Sequence, residues 1–584
     1  MKHNIIKIAL AGVLLAAMVS CSDFLNRPAE DTYNVDNFYL NDEQCVQGVN
    51  YLYNSPWYDF LRAFLWVGEV MSGNLYLGES QYLDFSVNGT DTDLVAMSYS
   101  LWSVNAHANT VIRNIRNSEG PSQTVKNQCI GEALTWKAFA YFFMVRSFGE
   151  VPIIHDNTEV LTSGEYNNVY KATKANVYEY IIMTLEKAME LLPKTGVNAD
   201  GRIDYYAAEA LLAKVYLTKA GLSGQLNADD MSKAAQYAKD VIDNSGRDLM
   251  EEYSDIFRLQ HNQNKECMIS WQWSPSRDPW TQQNSFQPEI ALTGFSDFEE
   301  NCWGGWRGPS IDLQDDFGVS AIADPATRAA EKDKRRKATM MMAGDTYDYF
   351  WTDRGGFDYL RFIYDDGDYG KGGPAGEYQS PTGANIVKHL TGRQADHVAG
   401  LGQSAANMAT GLATHLLRFA DVLLIYAEAM TGTSGETSDQ SALDAINRVH
   451  RRAGYSEEDD FKAPLTVEQI WKERRLELAL EGDYWYDFVR RSYYQMDVVI
   501  DEIKNQRRNR WFGLGELYEA YYDSGYETWN AEDDNVRYED EVPAPNVTAS
   551  SFTLPLPAED LVFNPHLAEP AVEVNVRETY KYDF

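Results

Sequence analysis

The residues best suited to chemistry in this 584-residue chain are aromatic rings set beside charged and amide side chains in glycine-rich stretches. Cys302-Trp303-Gly304-Gly305-Trp306-Arg307-Gly308 holds two indoles and a guanidinium within a few positions. Trp280 precedes it; Tyr349, Trp351 and Arg354 follow it; Tyr76, Tyr82, Asp84 and Asn88 form an earlier group. An indole or phenol offers a flat apolar face with a polar tip, and Arg, Asp and Asn offer directional hydrogen bonds. That combination suits non-covalent capture of a ligand with one C–H-rich face and a polar rim. Taken singly, each of these residues is more often a packing residue. Three glycines serve an inward-tucked tryptophan as well as an exposed one.

Covalent chemistry finds no comparable setting. The sequence contains no HExxH, no Walker loop and no GxSxG. Gly400-Leu401-Gly402-Gln403-Ser404-Ala405 fits the dinucleotide fingerprint, but no apolar strand precedes it, and it reads as a flexible loop. Asn198, Asp200, Gly201 and Ile203 imitate the middle of a calcium loop, yet Gly196 and Ala207 stand where the first and last ligands belong. The 9 histidines are too scattered to suggest a zinc set. No metal and no cofactor is expected. Carboxylates are abundant, so counting alone leaves a glycosidase pair open, and nothing singles one out. Lys332, Lys334, Arg335, Arg336 and Lys337 read as a solvated helix face, with an anion contact as the sharper alternative.

Helices with short loops must position these stretches. Leu134, Ala138, Tyr141, Phe142 and Val145 form an amphipathic stripe that stops at Gly149 and Pro152. Val177, Ile181, Leu185, Ala188 and Leu192 repeat the pattern, as do Ala207, Leu211 and Val215, then Ala234, Ala238, Val241 and Ile242. Near the C-terminus, Leu416, Ala420, Leu423, Leu424 and Ala427 form another stripe, and Thr466 with Gln469 is a capping box. The spacing predicts a mainly α chain, with a helical scaffold over about 35–245 and 412–500. Helix pairs of this size resemble tetratricopeptide units. Between them, about 247–410, Gly, Pro, Asp, Asn, Trp and Tyr dominate and helical periodicity fades, which predicts a loop-rich insert. Smaller loop zones are predicted at about 71–92 and 518–549. Long loops on a rigid frame are where binding usually sits.

Formal net charge is −36, from 51 basic and 87 acidic residues. Such a surface repels phosphate backbones and excludes nucleic acid as a partner. The 5 cysteines form no CxxC pair and read mostly as free buried thiols. Lys2, His3 and Lys7 precede an apolar run over 8–19, too short to span a bilayer and right for a signal-peptide core. Met18-Val19-Ser20-Cys21 follows it. This resembles a bacterial lipobox, with Met18 in place of the usual leucine. It implies a signal peptide over 1–20, lipidation of Cys21 and a mature chain over 21–584. Several acyl chains on one cysteine would anchor stably.

Several stretches together resemble the SusD/RagB family of outer-membrane nutrient-uptake lipoproteins. They begin with Cys21-Ser22-Asp23-Phe24-Leu25 and a helix carrying Trp102, Asn109 and Ile112. Most specific is Gly131-Glu132-Ala133-Leu134, through Tyr141-Phe142, to Val145-Arg146-Ser147-Phe148-Gly149-Glu150-Val151-Pro152. Ala210-Leu211-Leu212-Ala213-Lys214-Val215-Tyr216-Leu217 and Leu417-Arg418-Phe419-Ala420-Asp421-Val422-Leu423-Leu424 come next. Ile446-Asn447-Arg448-Val449, Arg452-Ala453-Gly454, Glu473-Arg474, Glu477-Leu478 and Glu481-Gly482 follow, and Leu554-Pro555-Leu556-Pro557 and Asn564-Pro565 close the series. The order holds end to end. Two departures fall on scaffold elements: Asp483-Tyr484-Trp485 after Glu481-Gly482, and Glu569-Pro570-Ala571-Val572 near the end.

The resemblance implies a single SusD-like domain of tetratricopeptide-like helix pairs with a loop-rich ligand face. It implies an exterior-facing outer-membrane binder of oligosaccharide or polysaccharide that works with a SusC-like TonB-dependent transporter. It does not name the sugar, because the family's ligand loops diverge. The residues agree in kind, since sugar rings present C–H faces to aromatic planes and hydroxyls to amides, carboxylates and Arg. The candidate ligand residues are therefore Trp303, Trp306, Arg307, Trp280, Trp351, Tyr349, Tyr82 and Asn88. A surface glycoside hydrolase and a binder of peptides or glycopeptides are the rival readings.

Overall fold

The computed structural model describes residues 38–197, 200–276, 278–298, 302–328, 330–365, 367, 369, 378–532 and 535–584. The predicted signal segment and Cys21 lie outside the described residues.

The principal helices are α1 (Thr92–Asn117), α2 (Gln123–Phe148), α3 (Lys174–Leu191), α4 (Tyr205–Lys219), α5 (Ala228–Asn244), α6 (Phe419–Ala429), α7 (Gln440–Arg452), α8 (Val467–Leu478) and α9 (Tyr484–Asn505). Asp91, Ser122, Thr173, Asp204 and Asn227 cap α1 to α5 with side-chain acceptors. The Thr466–Gln469 capping box opens α8. Gly149, at φ 73°, ends α2 in a conformation that disfavours any other residue. Successive helices stack as neighbours, α1 on α2, α2 on α3, α3 on α4, α4 on α5, α5 on α6 and α6 on α7. The fold is mainly α, as its sequence predicts.

Helix α2 departs from the amphipathic expectation. Every residue from Cys129 to Phe148 is buried, so it is a central helix covered all round and not a surface helix with one apolar stripe. Its polar residues must then be paired. Glu132 accepts from the Tyr53 hydroxyl (2.8 Å) and from Arg202 Nη2 (2.7 Å). Lys137 Nζ donates to Asn109 Oδ1 (2.7 Å). Arg146 Nη1 donates to Asp483 Oδ1 (2.7 Å).

A buried ion lattice ties the C-terminal helices to the N-terminal ones. Lys214 on α4 meets Asp421 on α6 at 2.7 Å and Asp483 at 2.6 Å. Arg474 on α8 pairs with Asp421 and Asp487. Arg490 on α9 pairs with Glu428 and Asp487. Asp483, a departure from the family pattern, is thus an anion shared by Arg146 and Lys214.

The insert is built from short pieces. Strand β1 (Leu75–Tyr76) pairs antiparallel with β3 (Gly308–Pro309), in the register Leu75↔Pro309. Strand β2 (Cys267–Trp271) pairs with β6 (Thr414–Arg418), both fully buried. Strand β4 (Met340–Met342) pairs with β5 (Ala384–Ile386). The fingerprint at residues 400–405 lies at the C-terminal end of a helix, Gln394–Leu401, capped by Gly402. Gly400 and Leu401 belong to that helix, and 403–405 continue as loop. The predicted loop at 518–549 begins inside another helix, Leu514–Asp523. The basic run divides: Lys332, Lys334 and Lys337 are exposed, as a solvated face requires, whereas Arg335 and Arg336 are buried. Arg335 is fully buried against Asp333, Glu473 and Glu477, Arg336 pairs with Glu331 and Asp345, and Lys332 pairs with Asp459. Cys45, Cys129, Cys267 and Cys302 are free and buried, as expected. Among the described residues no helix is long and apolar enough to cross a membrane.

Candidate functional site

A groove of about 390 Å³ is lined by Tyr58, Asp59, Arg62, Trp66, Asp93, Trp280, Phe286, Glu289, Trp303 and Met408, among others. Four elements meet there. The helical turn Leu61–Leu65 continues as a π turn, Trp66–Val70, and supplies Arg62 and Trp66. Helix α1 supplies Asp93 from its first turn. The short helix Phe286–Ile290 supplies Glu289. The glycine-rich stretch at 302–308 supplies Trp303, and beside the groove its Trp306 packs against Arg307.

The scaffold holds this assembly through Glu69. Its carboxylate accepts from the backbone N–H of Leu480 (3.0 Å) and Gly482 (2.6 Å), in the turn that follows α8. The π turn that carries Trp66 is therefore bolted to the end of the ion lattice. Insertions of this kind often sit at functional sites.

The glycines of 302–308 serve the exposed arrangement of the tryptophans through close backbone packing. A Cβ on Gly304 would overlap the Glu289 carbonyl, and one on Gly305 would overlap the Gln379 side chain. Trp303 N–H donates to Pro288 O (2.9 Å) and Gly304 N–H to Ala291 O (3.0 Å). The glycines let the stretch lie flat on the short helix, and both indoles are left facing out. Trp280, Trp303 and Trp306 are 38%, 39% and 43% exposed, which is unusual for large rings with no functional surface to serve.

Glu289 organises the charged part. Its Oε1 accepts from Arg62 Nη2 (2.5 Å) and Nε (3.1 Å), and its Oε2 from Arg307 Nη1 (2.9 Å) and Trp303 Nε1 (3.3 Å). Burial alone would raise its carboxyl, but the hydrogen bonds from Arg307 and Arg62 outweigh it and hold the group below the ordinary carboxylate range. Arg307 lies between two indoles, 4.8 Å from the Trp66 ring centre and 4.7 Å from that of Trp306. Asp93 Oδ2 accepts from Trp66 Nε1 (3.0 Å), and burial raises its carboxyl. Burial raises the Asp59 carboxyl too.

Of the sequence candidates, the structure brings Trp280 and Trp303 together on this groove, with Arg307 tied to it through Glu289 and Trp306 set against Arg307. It corrects the expectation for Trp351 and Tyr82. Trp351 is wholly enclosed, its Nε1 donating to Phe295 O (2.9 Å), so neither ring face is open to a ligand. Tyr82 is buried and donates to Asp91 Oδ1 (2.6 Å), which in turn caps α1. Its role is to fix the helix end that carries Asp93. Tyr349 is half-buried under the Arg258 guanidinium, 3.9 Å from its ring centre, and lines a different cavity. Asn88 is exposed and accepts from Thr90 in a turn. Tyr58, Asp59, Arg62, Asp93 and Glu289 went unnoticed in the sequence, because each sits singly in an otherwise structural segment. Among the described residues no cluster of His, Cys, Asp and Glu is arranged to hold a metal ion.

Residues 261–570 match the SusD family, and residues 80–217 match a family described as starch-binding, associating with outer membrane. A SusD-like protein of Bacteroides ovatus is 31% identical over 99% of this chain and 99% of its own length. The chain belongs to the SusD family. A solved structure with xylogluco-oligosaccharide shares 28% identity, with a TM-score of 0.74 over 91% of this chain and 99% of that one. A SusD-like carbohydrate binding protein from Bacteroides fragilis, 20% identical, shares the fold with a TM-score of 0.66 over 91% of this chain and 99% of the other. This SusD-family chain thus has the fold that its sequence motifs imply, and the family is one of carbohydrate binding and outer-membrane association.

Proposed function

We propose that this SusD-family protein is an outer-membrane lipoprotein that captures oligosaccharide on the groove around Trp303 and passes it to a TonB-dependent transporter without hydrolysing it. The observation that carries the reading is the convergence of two exposed tryptophans from separate segments, Trp280 and Trp303, on one groove rimmed by hydrogen-bonding groups. Stacked rings and a polar rim are what a sugar needs. The relative solved with xylogluco-oligosaccharide supports the ligand class. Glu289 is committed to two arginines that hold its carboxyl below the ordinary range, a setting suited to positioning rather than to proton donation.

Titration of purified protein with an oligosaccharide panel, followed by chromatography of the sugars, tests both halves. Saturable binding with intact ligand is expected. Accumulating shorter products would establish the hydrolase instead, and selective binding from a peptide library would establish the peptide binder.

The anchor and the partner have their own tests. Cys21→Ala is expected to abolish acyl labelling and release the protein from the membrane fraction; unchanged retention rules the anchor out. Tethering raises the local concentration of the protein at the membrane, so contacts with a partner barrel can be weak. The helical pairs are the expected docking side, leaving the groove for ligand. Affinity purification from gently solubilised membranes is expected to recover a transporter barrel; recovery of this protein alone, with ligand import unchanged after its deletion, excludes the handover.

A further inference from the structure

We infer that the groove selects an uncharged glycan, and that Glu289 enforces the selection by neutralising both cations of the site. The inference rests on the glycan-binding reading above and adds the chemical class of the sugar.

The charges of the site are Arg62 and Arg307 against Asp59, Asp93 and Glu289. Both cations are already engaged. Arg307 is nearly buried, held to Glu289 and clamped between Trp66 and Trp306. Arg62 is 55% exposed at its side chain, which would suit it to receive a ligand carboxylate, yet its Nε and Nη2 both point at Glu289 and its Nη1 lies 3.8 Å from Asp93. A uronate or sulfate entering the groove either pulls Arg62 away from Glu289, leaving that carboxylate less well paired in a half-buried site, or takes only the Arg62 N–H groups that Glu289 leaves free and brings its charge close to Glu289 itself. It would also stand beside Asp59 and Asp93. Like charges placed together across an interface cost several kcal/mol, and the net charge of −36 adds a repulsive background. A sugar hydroxyl meets none of this. It can accept from the remaining Arg62 N–H groups and donate to Asp59 or the Tyr58 oxygen while every ion pair stays closed. Because the pairs neither form nor break on binding, affinity for a neutral sugar should vary little with salt.

The test is calorimetric titration of the full mature chain with neutral gluco-oligosaccharides, including xylogluco-oligosaccharide, and with oligogalacturonates of matched length, at low and high salt. Neutral sugars are expected to bind with an affinity insensitive to salt. Oligogalacturonates should bind weaker on the order of tenfold or more, the factor that each 1.4 kcal/mol gives. Glu289→Gln keeps an acceptor for Trp303 Nε1 but frees both guanidinium charges, and is expected to narrow the discrimination by gaining oligogalacturonate affinity. Asp59→Asn, on the exposed rim, should narrow it in the same direction and serves if Glu289→Gln does not fold. Oligogalacturonates bound as tightly as neutral sugars by the unaltered protein, or discrimination unchanged in both variants, overturns the inference while leaving the glycan reading intact. No binding by any member of the panel overturns the glycan reading and this inference with it.

Discussion

Trp303→Ala is expected to weaken oligosaccharide binding by about 2 kcal/mol, roughly thirtyfold in Kd. The ring is 39% exposed, its indole N–H is fixed by Glu289, and its backbone is pinned to the Phe286–Ile290 helix. It is thus held in place before ligand arrives, and the sugar does not have to order it. Stacking on a partly desolvated ring adds about 0.5–1.5 kcal/mol beyond the area covered. Trp306→Ala should cost about as much, because it also frees the Arg307 guanidinium that the ring helps to hold. Both rings face solvent, so the variants should keep the circular dichroism spectrum and the denaturation midpoint of the parent. Titration calorimetry of the two single variants and the pair reads the effect. Parental affinity in both single variants would place the ligand elsewhere.

What the sequence disclosed of this protein follows from how strongly each position is constrained. Several of the motifs that carried the family resemblance hold the buried ion pairs. Arg146, Lys214, Arg418, Asp421, Arg474, Glu477 and Glu481 are buried, and a buried charge is tolerated only with its partners at fixed spacing. Glu473 and Glu477 stand one turn apart on α8 for that reason, facing Arg335 and Arg418. The site lacks such pressure. Trp303 and Trp351 have the same residue type in similar loop-like texture, yet one is exposed and the other enclosed. What separates them is the packing of the glycine-rich stretch on the Phe286–Ile290 helix, a long-range contact that local composition does not record. Arg62 and Glu289 are 227 positions apart, and no periodicity links them. The all-round burial of α2 was equally invisible, because the stripe of Leu134, Ala138 and Tyr141 satisfies one partner helix and says nothing about the opposite face.

A second buried ion network, around Arg418, makes the largest expected stability effect. Arg418 is 1% exposed and serves three carboxylates: Nη1 reaches Glu266 (2.9 Å) and Glu477 (2.8 Å), and Nε reaches Glu481 (2.7 Å). Its Nη2 also donates to the Glu477 carbonyl (2.9 Å). Arg418→Met fills similar space and leaves these carboxylates short of a cation, with Arg452, Arg335 and Lys388 beside them. Breaking a buried pair by removing one partner costs about 3–5 kcal/mol, a large fraction of a typical folding free energy of about 5–15 kcal/mol. The pH dependence fixes the mechanism. Burial alone would raise Glu481, but Arg418 and Lys388 outweigh it and hold the carboxyl at about 2; Glu477 is likewise held low, by Arg452, Arg418 and Arg335. A depressed carboxylate contributes stability above its unfolded value of about 4, and loses that contribution as pH falls through its folded value. The gap between parent and variant should therefore be widest near neutral pH and should close as pH drops below about 4 toward 2. Without the guanidinium, the variant's own carboxyls rise, so its acid unfolding should begin at higher pH. Denaturant titrations at a series of pH values measure both. A gap that stayed constant with pH would assign the loss to packing at the β2–β6 pair, where Arg418 lies opposite Cys267, and not to the ion network.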